Sequence, residues 1–391
     1  MAGPASAHLV WAEIDLTAIA HNVRELRRIV DPKARLLVAV KANAYGHGAE
    51  QVARMALTNG ATDLGVARID EGLALRRAGI AAPILIFGFT PSDRTAELIT
   101  HALVPAVYSL ENARAMAAAA RTQGRTLPVH IKVDTGMGRL GIPCGDQGGA
   151  GIDTAAETVE RISRIDGLVI QGIFTHFATA DQADKGYARR QFDLFSRLLD
   201  RLASRGVKVG LRHAANSGAI MEMPETHLDM VRAGISLYGL YPSEEVDRGR
   251  IDLKPALSLK ARIVHLKPVT AGTCISYGCT FQTRKPTVIA TVPIGYADGY
   301  SRGLSNRGTM LVRGQRVPIV GRVCMDLTMI DVGGVPGVSM GDEVVLIGRQ
   351  NGAGISADEV AATLSTINYE VVAALTDRVP RVYILNSERS G

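Results

Sequence analysis

The chain has 391 residues, a formal net charge of +6 and 47% hydrophobic residues, enough to bury the cores of about two domains. No run approaches the roughly 20 apolar residues of a membrane span, and the first ten residues lack the basic start and apolar stretch of a secretory signal, so a cytoplasmic protein is expected. Basic residues alternate with acids, as in Arg24-Glu25-Leu26-Arg27-Arg28, which argues against nucleic-acid binding; four cysteines with no CxxC pair argue against a disulfide framework or a zinc site and imply buried thiols.

Apolar, β-branched runs recur at 36–40, 63–67, 83–87, 104–108, 129–133, 168–175, 207–212 and 230–235. Helical periodicity fills most of the intervals, as at 50–57, 112–120 and 189–202. Continuous apolar strands alternating with helices predict a parallel sheet covered on both faces. Eight such units over about 230 residues fit a (β/α)8 TIM-type barrel, with an open doubly wound sheet as the alternative. After Tyr241-Pro242 the pattern changes to strands joined by turns, at 261–266, 287–292, 310–312, 316–320 and 343–347. Arg313-Gly314-Gln315 suits a hairpin turn, and a helix over 356–364 has Ser356 as N-cap with Glu359 three residues on. The expected layout is a barrel over 12–245 and a mostly-β domain over 246–391. Residues 1–11 form an N-terminal extension packed on the β domain, and 387–391 a frayed end.

In barrels the reactive groups gather at the C-terminal ends of the strands. The first strand runs straight into Lys41. Burial there would disfavour the ammonium and favour the neutral amine, the form that attacks an aldehyde; alternatively the side chain reaches past the rim to solvent. The loops after strands seven and eight, Asn216-Ser217-Gly218 and Gly234-Ile235-Ser236, offer backbone N–H groups and a hydroxyl suited to phosphate, or are ordinary turns. Arg232, within Met230-Val231-Arg232-Ala233-Gly234-Ile235, is a cation in an apolar strand.

The segment Val40-Lys41-Ala42-Asn43-Ala44-Tyr45-Gly46-His47-Gly48 closely resembles the cofactor-lysine signature of the alanine racemases, fold-type-III pyridoxal phosphate enzymes. The resemblance runs from about residue 12 to about residue 383. It recurs in Lys132-Val133-Asp134-Thr135-Gly136-Met137-Gly138-Arg139-Leu140-Gly141, Phe174-Thr175-His176, His213-Ala214-Ala215-Asn216-Ser217, Ser276-Tyr277-Gly278, Gly295-Tyr296-Ala297-Asp298-Gly299-Tyr300, Cys324-Met325-Asp326 and Asn368-Tyr369-Glu370.

The resemblance implies that Lys41 carries pyridoxal 5'-phosphate as a Schiff base. It assigns the cofactor's phosphate to Ser217, the backbone of Gly234 and Ile235, Tyr45 and Tyr369, with Asn216 beside them. Arg232 faces the pyridine nitrogen, where an arginine, unable to give up its proton, makes the cofactor a weak electron sink. His176 and His213 extend that network. Lys41 and Tyr277 are the two bases that invert the α-carbon, and Tyr277 reaches the active site of the partner subunit, so a homodimer is implied. Arg139 and the Met325 N–H bind the alanine carboxylate, and Lys132 is carbamylated to N6-carboxylysine. Tyr296 and Tyr300, with Tyr277 and Tyr369, line a narrow entrance. The implied activity is interconversion of L- and D-alanine for peptidoglycan precursors. Rival readings are a related decarboxylase, against which Arg232 argues, a non-catalytic single-barrel carrier, against which the second domain argues, and a racemase for serine or a broader set. Cys279-Thr280-Phe281 and Val371-Val372 depart from commoner family choices.

Overall fold

The computed structural model describes residues 8–145 and 151–385; the start of the expected N-terminal extension and the frayed end at 387–391 lie outside the described residues. Two compact units divide the chain. The barrel unit comprises Ala18–Ala44 and Ala49–Lys254. The β-rich unit gathers the segment ending at Thr17, Tyr45–Gly48, and the segment beginning at Pro255.

The barrel strands are β1 (Arg35–Ala39), β2 (Asp63–Val66), β3 (Ile84–Ile86), β4 (Leu103–Val107), β5 (Leu127–Asp134), β6 (Leu168–Phe174), β7 (Leu211–His213) and β8 (Met230–Ala233). They pair in parallel in the order β8-β1-β2-β3-β4-β5-β6-β7. Asp229 N donates to Arg212 O (3.1 Å) and Arg232 N to Ala215 O (3.0 Å), which brings β7 and β8 together and nearly closes the ring. This is the expected TIM-type barrel, not an open sheet. Helices Ala49–Thr58, Leu110–Thr122 and Gly186–Ser204 fall where periodicity placed them. The seventh strand differs: it is Leu211–His213, because Gly206 and Gly210 take φ of +72° and +64° and keep the residues between them out of the sheet.

Side chains alternate across each strand, so residues two apart share a face. Leu37, Leu85, Val104 and Met230, from four strands around the ring, pack as one cluster inside it. The same alternation puts His130 and Lys132 of β5, Phe174 of β6, His213 of β7 and Arg232 of β8 on the interior. Gly172 pairs with His130, and a Cβ at Gly172 would lie 2.5 Å from the His130 ring. Gly172→Ala is therefore expected to cost about 1–3 kcal/mol through overpacking. A urea midpoint matching that of the wild type would contradict this close fit.

In the β-rich unit the largest sheet runs Gln315–Pro318, Thr309–Val312, Glu343–Gln350, Leu257–Arg262, Val10–Asp15, Arg381–Ile384, with Ala353–Ile355 added on Glu343–Gln350. The Val10–Asp15 strand thus belongs to this unit. The strand expected over 261–266 is two strands, Leu257–Arg262 and His265–Val269, which enter different sheets. Arg313 and Gly314, with φ of +53° and +82°, form the two-residue hairpin turn between Thr309–Val312 and Gln315–Pro318. Ser356 caps helix Ala357–Leu364 by accepting from Glu359 N (3.0 Å). The Glu359 carboxylate turns instead to Arg316, so half of a capping box is made. No described helix is long and apolar enough to cross a membrane.

Candidate active site

Lys41 follows β1 and starts one turn of left-handed helix. Ala42, Asn43 and Ala44 have φ/ψ of 51/51°, 51/46° and 55/53°, and Tyr45 has φ of +50°. Left-handed residues other than glycine cost about 1–2 kcal/mol each, so this turn needs support. The Glu71 carboxylate supplies it, accepting from Ala42 N (2.7 Å) with one oxygen and from Ala67 N (2.7 Å) and Arg68 N (3.0 Å) with the other. Asn43 Oδ1 accepts from Ala49 N (2.9 Å). The Lys41 amine is half-buried, and burial first, then the charge of Arg139, lowers its pKa and favours the free amine.

Arg232 is buried and makes four hydrogen bonds: Nη1 to His213 Nδ1 (3.0 Å), and Nη2 to Thr175 O (2.8 Å), Ala214 O (2.9 Å) and His176 Nδ1 (3.3 Å). A guanidinium only donates, so both histidines accept at Nδ1 and carry their proton at Nε2. His213 Nε2 then donates to His130 Nδ1 (2.9 Å). Burial, followed by the charge of Arg232, holds the pKa values of His176 and His213 well below the ordinary value and that of His130 at about 4, so all three stay neutral acceptors. Phe174 stacks on His213 (4.8 Å between centroids) and lies 5.3 Å from the Arg232 guanidinium carbon. These contacts leave Arg232 Nε with no hydrogen-bond partner among the described residues.

Lys132 donates to Phe87 O (3.2 Å) and stands 5.6 Å from the Phe174 ring centre. Burial, then Arg139, Arg232 and Lys41, push its pKa down to about 8. Arg139 is exposed on the loop after β5, where Asp134 Oδ1 gathers the N–H groups of Gly136 (2.9 Å), Met137 (2.8 Å) and Gly138 (3.1 Å). Four cations therefore act on one another at this end of the barrel. Ser217 Oγ accepts from Gly234 N (2.8 Å) and lies 2.9 Å from Ser236 Oγ, joining the loops after β7 and β8. Asn216 caps the short helix Ser217–Glu222, and Ile235 is buried at the start of the turn Ile235–Tyr238.

The barrel unit thus brings together Lys41, Lys132, Arg139, His176, His213, Asn216, Ser217, Arg232, Gly234 and Ile235, all at or just beyond the C-terminal ends of strands. Concentrated positive charge, a depressed lysine and an unpartnered Arg232 Nε–H fit a phosphorylated pyridine aldehyde. His130, Phe174 and Glu71 are contributors that the sequence reading did not single out. Two-residue alternation from Lys132 would have found His130; nothing in sequence links Glu71 to Ala42.

The β-rich unit carries the tyrosines and Met325. Tyr277 is 72% exposed on a short turn, Tyr277–Cys279, anchored by Ser276 Oγ donating to Arg322 O (2.7 Å). Met325 is 52% exposed, and no described residue accepts its N–H. Tyr296 is also exposed, and Ala297 N donates to Met325 O (3.1 Å), tying the two segments together. The Tyr45 and Tyr369 rings lie 6.2 Å apart, tilted at 49°. Tyr300 corrects the expectation of an entrance residue: it is 4% exposed, and burial raises its pKa. The thiols also differ from expectation, since Cys144 is buried whereas Cys274 and Cys279 are exposed and Cys324 is half-buried.

Comparisons with known proteins agree with this geometry. Residues 14–242 match the model of the alanine racemase N-terminal domain, and residues 256–383 that of the C-terminal domain. The chain is 57% identical to an alanine racemase of Desulfosudis oleivorans, over 95% of this chain and 96% of that one. Among solved structures, alanine racemase from Clostridium difficile superposes with a TM-score of 0.91 at 38% identity, covering 97% of this chain and 96% of that one. Alanine racemase from Bacillus anthracis with bound L-Ala-P gives 0.89 at 40% identity, covering 97% and 96%. On its two matched domains, its barrel and its β-rich unit, the chain belongs to the alanine racemase family.

Proposed function

We propose that the protein interconverts L- and D-alanine in the cytoplasm, supplying D-alanine for peptidoglycan precursors, as a homodimer that binds pyridoxal 5'-phosphate. The observation that carries the reading is the buried Arg232, its Nη1 and Nη2 held by four hydrogen bonds and its Nε left over. Lys41 would hold the cofactor's aldehyde carbon, Arg232 Nε–H its ring nitrogen, and Ser217, Asn216, Gly234, Ile235, Tyr45 and Tyr369 its phosphate. Held there, pyridoxal 5'-phosphate would supply an aldehyde for the substrate amine and an electron sink for the pair left by the α-proton.

The chain's own residues do the rest. Arg139 and the Met325 N–H hold the substrate carboxylate, so the α-carbon presents one fixed face to each base. Lys41 Nζ takes or gives the proton on one face. Tyr277 Oη, contributed by the partner subunit, does so on the other. Arg232, fixed by neutral His176 and His213, would donate to the ring nitrogen without surrendering a proton. A decarboxylase is disfavoured because its chemistry calls for an acid where Arg232 stands.

Incubating the purified protein separately with L-alanine, L-serine, L-lysine and L-arginine, and following optical rotation, tests this reading. Rotation should vanish with alanine. Carbon dioxide release without loss of rotation would overturn it.

Lys132 is the proposed carbamylation site. With a pKa of about 8, roughly a tenth of its amine is neutral at pH 7, the form that adds carbon dioxide. The product is an anion set among Arg139, Arg232 and Lys41, and it relieves the repulsion of like charges. Carbon-13 bicarbonate should yield a protein carbamate resonance that Lys132→Met abolishes. The same variant should raise the KM for alanine about tenfold or more, as Arg139 loses a charged hydrogen-bond partner. An unchanged KM together with no carbamate resonance would refute the assignment.

A further inference from the structure

Cys274 and Cys279 bracket Tyr277 in one hairpin. Strand Cys274–Ile275 pairs with Phe281–Gln282 in the register Cys274↔Gln282 and Ile275↔Phe281. Cys279 ends the turn between them with φ of +47°. The pairing sets Gln282 opposite Cys274 and leaves Cys279 in the loop, at the end of the turn that presents Tyr277. Both cysteines are exposed, and their side chains interact directly, the Cys279 thiol being the main influence raising the pKa of Cys274. Of the other cysteines, Cys144 is buried in the barrel unit, and Cys324, half-buried, sits against this hairpin with its Sγ 3.4 Å from Ser276 Oγ.

We infer that Cys274 and Cys279 are an oxidisable dithiol whose reversible disulfide disables the hairpin that presents Tyr277. The loss of activity rests on the reading of Tyr277 as a catalytic base; the disulfide itself does not. With hydrogen peroxide as oxidant, the Cys279 thiolate attacks one peroxide oxygen, the O–O bond breaks, and a sulfenic acid and one water result. The Cys274 thiol attacks that sulfur, the S–S bond forms and the second water leaves. Two thiols lose two electrons and two protons, and one peroxide becomes two waters. A dithiol reductant reverses the bond by exchange.

The bond would alter Tyr277 because a disulfide requires an S–S distance of about 2.05 Å and draws the two ends of its loop together. Ser276, Gly278 and Cys279 all have positive φ (+66°, +72° and +47°), and Ser276 and Thr280 are tied to Arg322 O and to Asn306 Nδ2, so little slack remains. A shift of about 1 Å in a reacting group can cost on the order of a hundredfold in rate. In a reducing compartment the bond would be transient, as redox-sensing disulfides are.

The test oxidises the purified holoenzyme with hydrogen peroxide and counts alkylatable thiols after denaturation. The count should fall from the four in the sequence to two, with a single peptide 2 Da lighter linking Cys274 to Cys279. Racemisation should drop about a hundredfold, and dithiothreitol should restore both. Cys274→Ser and Cys279→Ser should keep the starting activity and resist peroxide. Four free thiols after oxidation, or a linkage through Cys144 or Cys324, would overturn the proposal. A mapped Cys274–Cys279 bond with undiminished racemisation would overturn the switch. A preparation that racemises nothing before oxidation marks failure of the functional reading, and the peptide map still decides the disulfide.

Discussion

Lys41→Ala is expected to lower racemisation of either enantiomer by at least about 10⁴-fold and to abolish the absorbance of covalently held cofactor. The size follows from two roles lost at once. A positioned general base contributes about 10²–10⁴-fold, and the same amine is the nucleophile that anchors the aldehyde. The protein should not unfold. Burial and Arg139 lower the Lys41 pKa in the folded chain, so the unfolded chain binds the proton more readily and the buried charge opposes folding at neutral pH. That cost is fully present below the folded-state pKa and fades as pH rises toward the unfolded value. Removing the lysine should therefore hold or raise the melting temperature of the cofactor-free protein. Racemisation within tenfold of the wild type would rule out the assignment, and a lower melting temperature would contradict the electrostatic account.

Why Lys41 was legible and its surroundings were not is a matter of range. The barrel could be read because each interior strand is a short apolar run bounded by polar segments, a signal local to a few residues. Arg232 was legible for the opposite reason, as a charge inside such a run. The left-handed turn could not be foreseen: Ala42-Asn43-Ala44-Tyr45 contains no glycine, and what holds it is a carboxylate 29 positions from Ala42. The split of the expected 261–266 strand was equally hidden, since its two halves join different sheets with no break in composition. The cysteines mislead because so few thiols in so long a chain imply burial. Their exposure depends on the hairpin around Tyr277, which only the pairing of residues 274–275 with 281–282 defines.

Tyr277→Phe is expected to slow racemisation about 10²–10⁴-fold while leaving stability within about 0.5 kcal/mol, because it removes only a hydroxyl from an exposed side chain. The two directions cannot slow unequally in kcat/KM. L- and D-alanine are mirror images with an equilibrium constant of 1, so any loss in one direction must appear in the other. The asymmetry belongs instead to exchange of the α-hydrogen with solvent. One enantiomer presents that hydrogen to Lys41, which the substitution spares. In deuterated water this enantiomer should still wash in deuterium with retained configuration, at a rate within about tenfold of the wild type. The other must give its proton to position 277, and its exchange should fall with racemisation. If exchange from both enantiomers fell equally, position 277 would act on both faces alike, and the assignment of Tyr277 to one face would be refuted. If one exchanges while neither racemises, the two faces of the α-carbon are served by different residues.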